Sequence, residues 1–119
     1  GKKKEVDTSV YEVLGVQPDH KSKHDEAMLR DRLLLQMVQE AIRCFDEGIV
    51  RSARDADVGA IFGLGFPPFT GGPLRWVDAT GPSEVLRRMR ALEDRFGARF
   101  SPPPRLEQMA REGGRFHAE

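Results

Sequence analysis

Few residues in this 119-residue chain could carry chemistry: the single cysteine Cys44, the histidines His20, His24 and His117, the serines Ser52, Ser83 and Ser101, the pair Asp55 and Asp57, and a glycine-rich run, "GLGFPP", at 63–68. The run begins like a dinucleotide fingerprint, in which backbone amides at a helix N-terminus receive phosphate oxygens. That chemistry needs a strand before the loop, a third glycine and a helix starting inside it. Here a helical pattern precedes the run, and Pro67 and Pro68 remove two amide donors where oxygens would need them. The phosphate reading fails, and no lysine-bearing P-loop is present. Asp55 and Asp57 fall in the first turn of a helix capped by Ser52, where negative charge suits the helix dipole. A metal would need more ligands at suitable spacing, and the histidines lie far off.

General acid–base work needs a titratable group within reach of substrate. His20 and His24 belong to a charged arm, and His117 lies beside the chain end, where fraying is expected. The serines sit where caps or turns are wanted, with no histidine nearby in sequence to activate them. Cys44 falls on the apolar face of a helix with nothing beside it to stabilise a thiolate, so it reads as inert packing. The expectation is a chain with no catalytic, cofactor-binding or metal-binding residue.

The elements that would position these residues are helical. From Met28 to Asp46, Leu33, Leu34, Met37, Val38, Ala41, Cys44 and Phe45 recur at three- and four-residue spacings, which predicts an amphipathic helix with one buried stripe, stopped by Gly48. Asp25 and Asp31 are both candidates for its N-cap. After Ser52 a second helix runs through "ARDADVGAIF", with Val58, Ile61 and Phe62 expected to face the core and Gly59 to admit a neighbouring helix. Pro73 opens "PLRWVDAT", which Gly81 ends, and Pro82 opens a helix whose Val85, Leu86, Met89, Leu92 and Phe96 form a stripe before Gly97. A last short helix carries Leu106, Met109 and Ala110 up to Gly113. No stretch reads as a strand. The fold class is therefore all-α, a compact bundle of four to five helices with an extended N-terminal arm.

The glycine- and proline-rich stretch 59–78 also holds Phe62, Phe66, Phe69, Leu74 and Trp76, too much apolar surface for a disordered linker. It reads as a stiff turn, directed by Pro67 and Pro68 and anchored by its rings. Phe62, Phe66, Pro67, Pro68, Phe69, Leu74 and Trp76 are the candidates for domain packing.

Residues 1–27 form the arm, rich in charge and poor in large apolar groups. Within it, "DTSVYEVLG" predicts a short helix capped by Asp7, with Val10, Tyr11 and Leu14 on one face and Gly15 as its stop. Lys2, Lys3 and Lys4 read as a solvated terminus. Residues 28–119 form the helical domain. Nineteen basic and nineteen acidic residues cancel, so nothing points to nucleic acid or an acidic membrane surface. A lone cysteine suits a reducing compartment, and no apolar run approaches a membrane span, so the expected location is cytoplasmic. The chain opens on "GKKKEVD" without an initiating methionine, which suggests a piece of a longer protein.

Three blocks, "EAIRCFDEGIV", "RDADVGAIFGLGFPPFTGGPLRWVD" and "RFSPPPRLEQMAREGGRF", in that order and at those separations, resemble the C-terminal part of the alpha subunit of the bacterial fatty acid oxidation complex and of related multifunctional 3-hydroxyacyl-CoA dehydrogenases. The resemblance covers about 28–116, and the leading arm resembles the connection preceding that domain. It implies a fold like the C-terminal domain of 6-phosphogluconate dehydrogenase, and a parent chain joining enoyl-CoA hydratase to NAD-dependent oxidation of 3-hydroxyacyl-CoA. It also implies a nucleotide-binding domain followed by two helical repeats, with a thiolase beta subunit as the complex's other chain. This sequence resembles the second repeat. Where the first repeat is expected to have an asparagine–arginine pair, this chain has Asp31 and Arg32, and a carboxylate cannot donate as an amide does. The expectation is a noncatalytic copy that binds no NAD itself, packs on its sister repeat and the nucleotide-binding domain, and pairs with a second copy when alone. The alternative is a free-standing helical module that takes a partner helix at the aromatic turn. Arg87, Arg88, Arg90 and Arg95 make one helix basic, either a solvated face or a contact for a nucleotide tail.

Overall fold

The chain was analysed as a computed structural model, which describes Glu5, residues 7–17 and residues 25–117; Lys2, Lys3, Lys4, His20 and His24 lie outside the described residues. Among these residues there are six α-helices and no strand: α1 (Ser9–Leu14), α2 (Glu26–Asp46), α3 (Ala53–Leu64), α4 (Pro73–Thr80), α5 (Pro82–Phe96) and α6 (Pro104–Glu112). Short 3-10 turns at Pro68–Thr70 and Ala98–Phe100 tighten two of the joints. The all-α reading holds.

Local signals set most boundaries. Asp25, rather than Asp31, caps α2, its carboxylate accepting the Ala27 amide at 2.9 Å. Ser52 caps α3 through the Asp55 amide, satisfying a donor that the first turn leaves without a helical partner. Proline stands at the first position of α4, α5 and α6, where its missing N–H costs nothing. In the arm, Asp7 accepts the Ser9 amide and Gly15 closes α1 in the left-handed region, yet α1 has no buried residue.

The longest helix, α2, touches α3, α4, α5 and α6, while α5 packs on α6 and α3 on α4. Leu35, Val38 and Ile42 of α2 meet Phe66, Leu74, Val77, Val85, Met89, Phe100 and Leu106 in one core. Gln39, buried among them, donates to the Ser101 carbonyl at 2.9 Å and so ties α2 to the turn before α6.

Here the sequence reading of α2 needs correction. Leu33 is 76% exposed and Cys44 only partly buried, whereas Leu35 and Ile42, absent from the expected stripe, are fully enclosed. Two apolar stripes lie on nearly opposite sides of this helix. One, through Leu35, Val38 and Ile42, enters the core; the other runs from the exposed Leu29 and Leu33 to Met37 and Cys44, which are partly buried. Both have helical spacing, so periodicity alone merges them.

Candidate packing interface

The corner between α3 and α4 holds the residues singled out for domain packing, and the structure divides them. Phe66 and Leu74 are fully buried, and Pro67 and Trp76 are partly so. Phe62 is 86% exposed, Phe69 89%, and Pro68 is exposed as well. The expectation that all the rings anchor the corner is thus wrong for Phe62 and Phe69, two of its four rings. Val58, also expected inside, is exposed. The reason lies in the register of α3: Ala53, Ala56, Asp57 and Ala60 take its inner face, so Val58 and Phe62, four residues apart, turn outward together.

The corner is nevertheless stiff. Thr70 donates its hydroxyl to the Pro67 carbonyl at 2.6 Å, the Gly71 amide donates to the Pro68 carbonyl at 3.0 Å, and the Phe66 amide donates to the Ala60 carbonyl at 3.1 Å. Gly72 has φ 109°, and a Cβ there would stand 2.4 Å from the Cβ of Asp57, so no larger residue fits.

Asp57 explains that close approach. Its buried carboxylate accepts the Leu74 amide at 2.7 Å and the Arg75 amide at 3.2 Å, satisfying the first turn of α4. His117 completes the arrangement. Its Nε2 stands 3.0 Å from Asp57 Oδ2 and its Nδ1 2.9 Å from Asp78 Oδ2, and the Phe116 and His117 amides both donate to Asp78. Burial pushes the Asp57 carboxyl above its ordinary value of 3.8, opposed by the Leu74 amide, His117, and then the amide and charge of Arg75. Two expectations fail here. Asp57 serves the dipole of α4 rather than that of its own helix, and His117 is clamped between two carboxylates instead of fraying. Phe116 continues the clamp by meeting Phe45 of α2 edge-on, ring centroids 5.6 Å apart. No signal in the local sequence ties a tail histidine to two aspartates in other helices.

Every ring nitrogen and carboxylate in this constellation is engaged with the fold, and no buried side-chain nitrogen or oxygen lacks a partner among the described residues. No group of three histidine, cysteine, aspartate or glutamate side chains could hold a metal among those residues. Asp31 and Arg32 are likewise engaged: Asp31 lies 3.6 Å from Arg88 Nη1, and the Arg32 guanidinium sits 4.1 Å from the centre of the Phe96 ring. Ser83 donates to the Ala110 carbonyl and Ser101 to Glu93, uses that join helices.

What the molecule presents outward is an apolar groove of about 420 Å³ between α2 and α3. Met37, Ala41 and Cys44 form one wall; Ala56, Gly59, Ala60 and Leu64 form the other. Nothing in the described chain comes within 4 Å of where a Cβ of Gly59 would be, so the small residue faces open space rather than a neighbouring helix of this fold. Leu33 extends the groove along α2, while Val58, Phe62 and Phe69 carry further exposed apolar surface across α3 and the corner. An apolar groove with large exposed apolar side chains on the same elements is the kind of surface that marks an interaction site. No helix among the described residues is long and apolar enough to cross a membrane.

Comparison with known proteins gives a consistent picture. Residues 28–118 match the family described as 3-hydroxyacyl-CoA dehydrogenase, C-terminal domain. A protein of Shewanella loihica named fatty acid oxidation complex subunit alpha is 47% identical over 116 residues, and its namesake in Vibrio vulnificus is 49% identical over 117. In both cases the match takes in 98% of this chain and 16% of the relative. The chain thus spans about a sixth of the length of these relatives.

Proposed function

The chain belongs to the 3-hydroxyacyl-CoA dehydrogenase C-terminal domain family, and from that premise we propose that it is the second helical repeat of a fatty acid oxidation complex alpha subunit, acting by packing rather than by catalysis. The parent chain carries out NAD-dependent oxidation of 3-hydroxyacyl-CoA together with enoyl-CoA hydration, in the cytoplasm and beside a thiolase beta subunit. Residues 28–119 are the packing domain, and residues 1–27 the arm that joins it to the preceding repeat. This repeat braces the wall of the acyl-CoA cleft from outside the chemistry and binds no NAD of its own.

The observation carrying this reading is the second apolar stripe of α2. A helix needs one such face to hold its own fold; the exposed Leu29 and Leu33, leading to the partly buried Met37 and Cys44 that line the groove with the small-residue wall of α3, fit a surface covered by another domain. Phe62 and Phe69 extend that covered area, and in isolation a second copy covers part of it.

The test mixes this chain with an alpha subunit truncated before it. The two should co-elute, and Leu33→Asp or Phe62→Asp should abolish co-elution while far-UV helicity stays unchanged. Undiminished co-elution of both variants overturns the packing face. Titration with NADH and with acetoacetyl-CoA should give no heat, and NAD-linked oxidation by the isolated chain would overturn the noncatalytic assignment.

A further inference from the structure

The segment that follows α6 leaves it through Gly113, in the left-handed region at φ 73°, and Gly114, then crosses to α4 and α2. Its hold there is polar at one point and apolar at another. The Phe116 and His117 amides donate to Asp78 at 2.8 and 2.9 Å, and the Phe116 ring lies edge-on to Phe45. Both rings are only partly buried, so each covers a face of the other.

Protons decide whether this hold can close. Both oxygens of Asp78 accept backbone amides, and Oδ2 also stands 2.9 Å from His117 Nδ1, so Nδ1 carries a hydrogen and donates it to Asp78. In a neutral imidazole that tautomer leaves a lone pair on Nε2. Yet Nε2 stands 3.0 Å from Asp57 Oδ2, too close for an intervening water, and a lone pair facing a carboxylate oxygen at that distance is repelled. One further proton must lie between them, either on the ring as imidazolium or on the carboxyl as an acid; the two forms hold equal numbers of protons. Burial raises the Asp57 carboxyl, the direction that retains this proton. Of the other charges nearby, Arg75 of α4 reaches Asp57 through its amide and its charge, Arg105 of α6 stands over the Phe45 ring and pairs with Asp46, and Arg115 belongs to the segment itself.

We propose that residues 115–117 are a proton-held strap: the proton shared by His117 and Asp57 keeps it closed over Phe45, and loss of that proton as pH rises lets it swing out about Gly113 and Gly114. The closed strap holds one proton more than the open one, in which Asp57 is ionised and the ring is neutral, so each unit of pH shifts the balance toward opening by up to about tenfold. Opening uncovers Phe45 and Phe116 together. Asp57 still caps the Leu74 and Arg75 amides when ionised, so α3 and α4 stay joined while the strap is free.

The test is NMR of this chain from about pH 5 to about pH 10. Imidazole nitrogen and carboxyl carbon shifts read where the proton sits, and Overhauser contacts between the Phe45 and Phe116 rings read whether the strap is closed. The ring contacts should vanish in the same single-proton step that empties the His117–Asp57 pair, with far-UV helicity retained. Asp57→Asn sets an amide donor against Nε2 that no rise in pH removes, so its strap should stay closed across the range. Ring contacts that persist after the proton is lost, a closed strap in which the pair carries only the Nδ1 hydrogen, a proton retained to the top of the range, or an unchanged step in Asp57→Asn would each overturn the proposal. The first three are read on the unaltered chain, so the proposal can fail even where the variant does not fold.

Discussion

Phe66 and Phe69 stand three residues apart on the same stiff corner, and one is fully buried while the other is 89% exposed. The pair separates two kinds of apolar surface. Phe66 belongs to a closed system: it packs with Leu35 and Leu74, while the neighbouring Asp57, Gly72, Asp78 and His117 bind α3, α4 and the C-terminal segment into one body. Phe69, with Phe62 and Leu33, belongs to an open one, rigidly presented but touching nothing that would enclose it. The same residue type therefore stabilises the fold in one place and offers contact in another, and only the surroundings tell which.

Substitutions at matched positions sharpen this contrast. The largest effect is expected from Phe66→Ala, which leaves a cavity in the core and should cost about 3 to 5 kcal/mol in urea unfolding. Its counterpart Phe69→Ala should change stability by less than about 0.5 kcal/mol, and should instead reduce self-association in sedimentation. A similar loss for both would dissolve the distinction between inner and outer rings.

Next comes Gly72→Ala, whose methyl group would collide with Asp57 in a backbone region that side chains avoid; a loss of about 3 kcal/mol is expected. Gly59→Ala, facing open space in a helix interior, should instead be neutral or slightly stabilising in the isolated chain. Destabilisation by Gly59→Ala would mean that the groove is already filled.

A somewhat smaller cost, about 2 kcal/mol, is expected for Asp57→Asn, which keeps the shape but loses the charge facing His117 and an acceptor for the amides of α4. Its pH signature has a definite sign. Because burial raises the folded carboxyl above 3.8, the folded state holds that proton more tightly than the unfolded chain does. The contribution of Asp57 is therefore greatest below 3.8 and declines as pH rises through its folded value. Melting curves across that window should lose this falling component in Asp57→Asn.

The smallest effect lies on the exposed face of α5. Glu84 is depressed to about 2 by Arg87 and then Arg88, so its contribution is present above 4.5 and lost as pH falls toward 2, the opposite sign to Asp57. Between pH 5 and 2.5 the melting temperature of Glu84→Gln should fall less than that of the unaltered chain. Identical slopes would show that the two arginines give Glu84 nothing in solution.

Much of the architecture was legible in the residues. Ser52, Pro73, Pro82, Gly81 and Gly97 mark helix ends because caps and breakers act on neighbours in sequence, whereas the choice of Asp25 over Asp31 needed the structure. The interface was less legible. Leu33 and Leu35 both lie on helical stripes of α2, and nothing in their spacing says which faces inward; Phe62 reads as core for the same reason. Asp57 reads as serving its own helix because a carboxylate near a helix start already has an adequate local role. His117 reads as a free end because its partners, Asp57 and Asp78, lie in helices remote in sequence.

By itself the sequence determined an all-helical chain, where its helices begin and stop, and the family to which it belongs, since these depend on local backbone preferences and on the order of specific residues. Only the tertiary structure decided which stripe of α2 enters the core, which of three phenylalanines at one corner is enclosed, and that a histidine beside the chain's end is locked between two carboxylates. Burial and ion pairing are properties of surfaces brought together in space. A periodic pattern of residues fixes which side chains share a face, but the choice of face to bury rests on what the other helices bring to meet it.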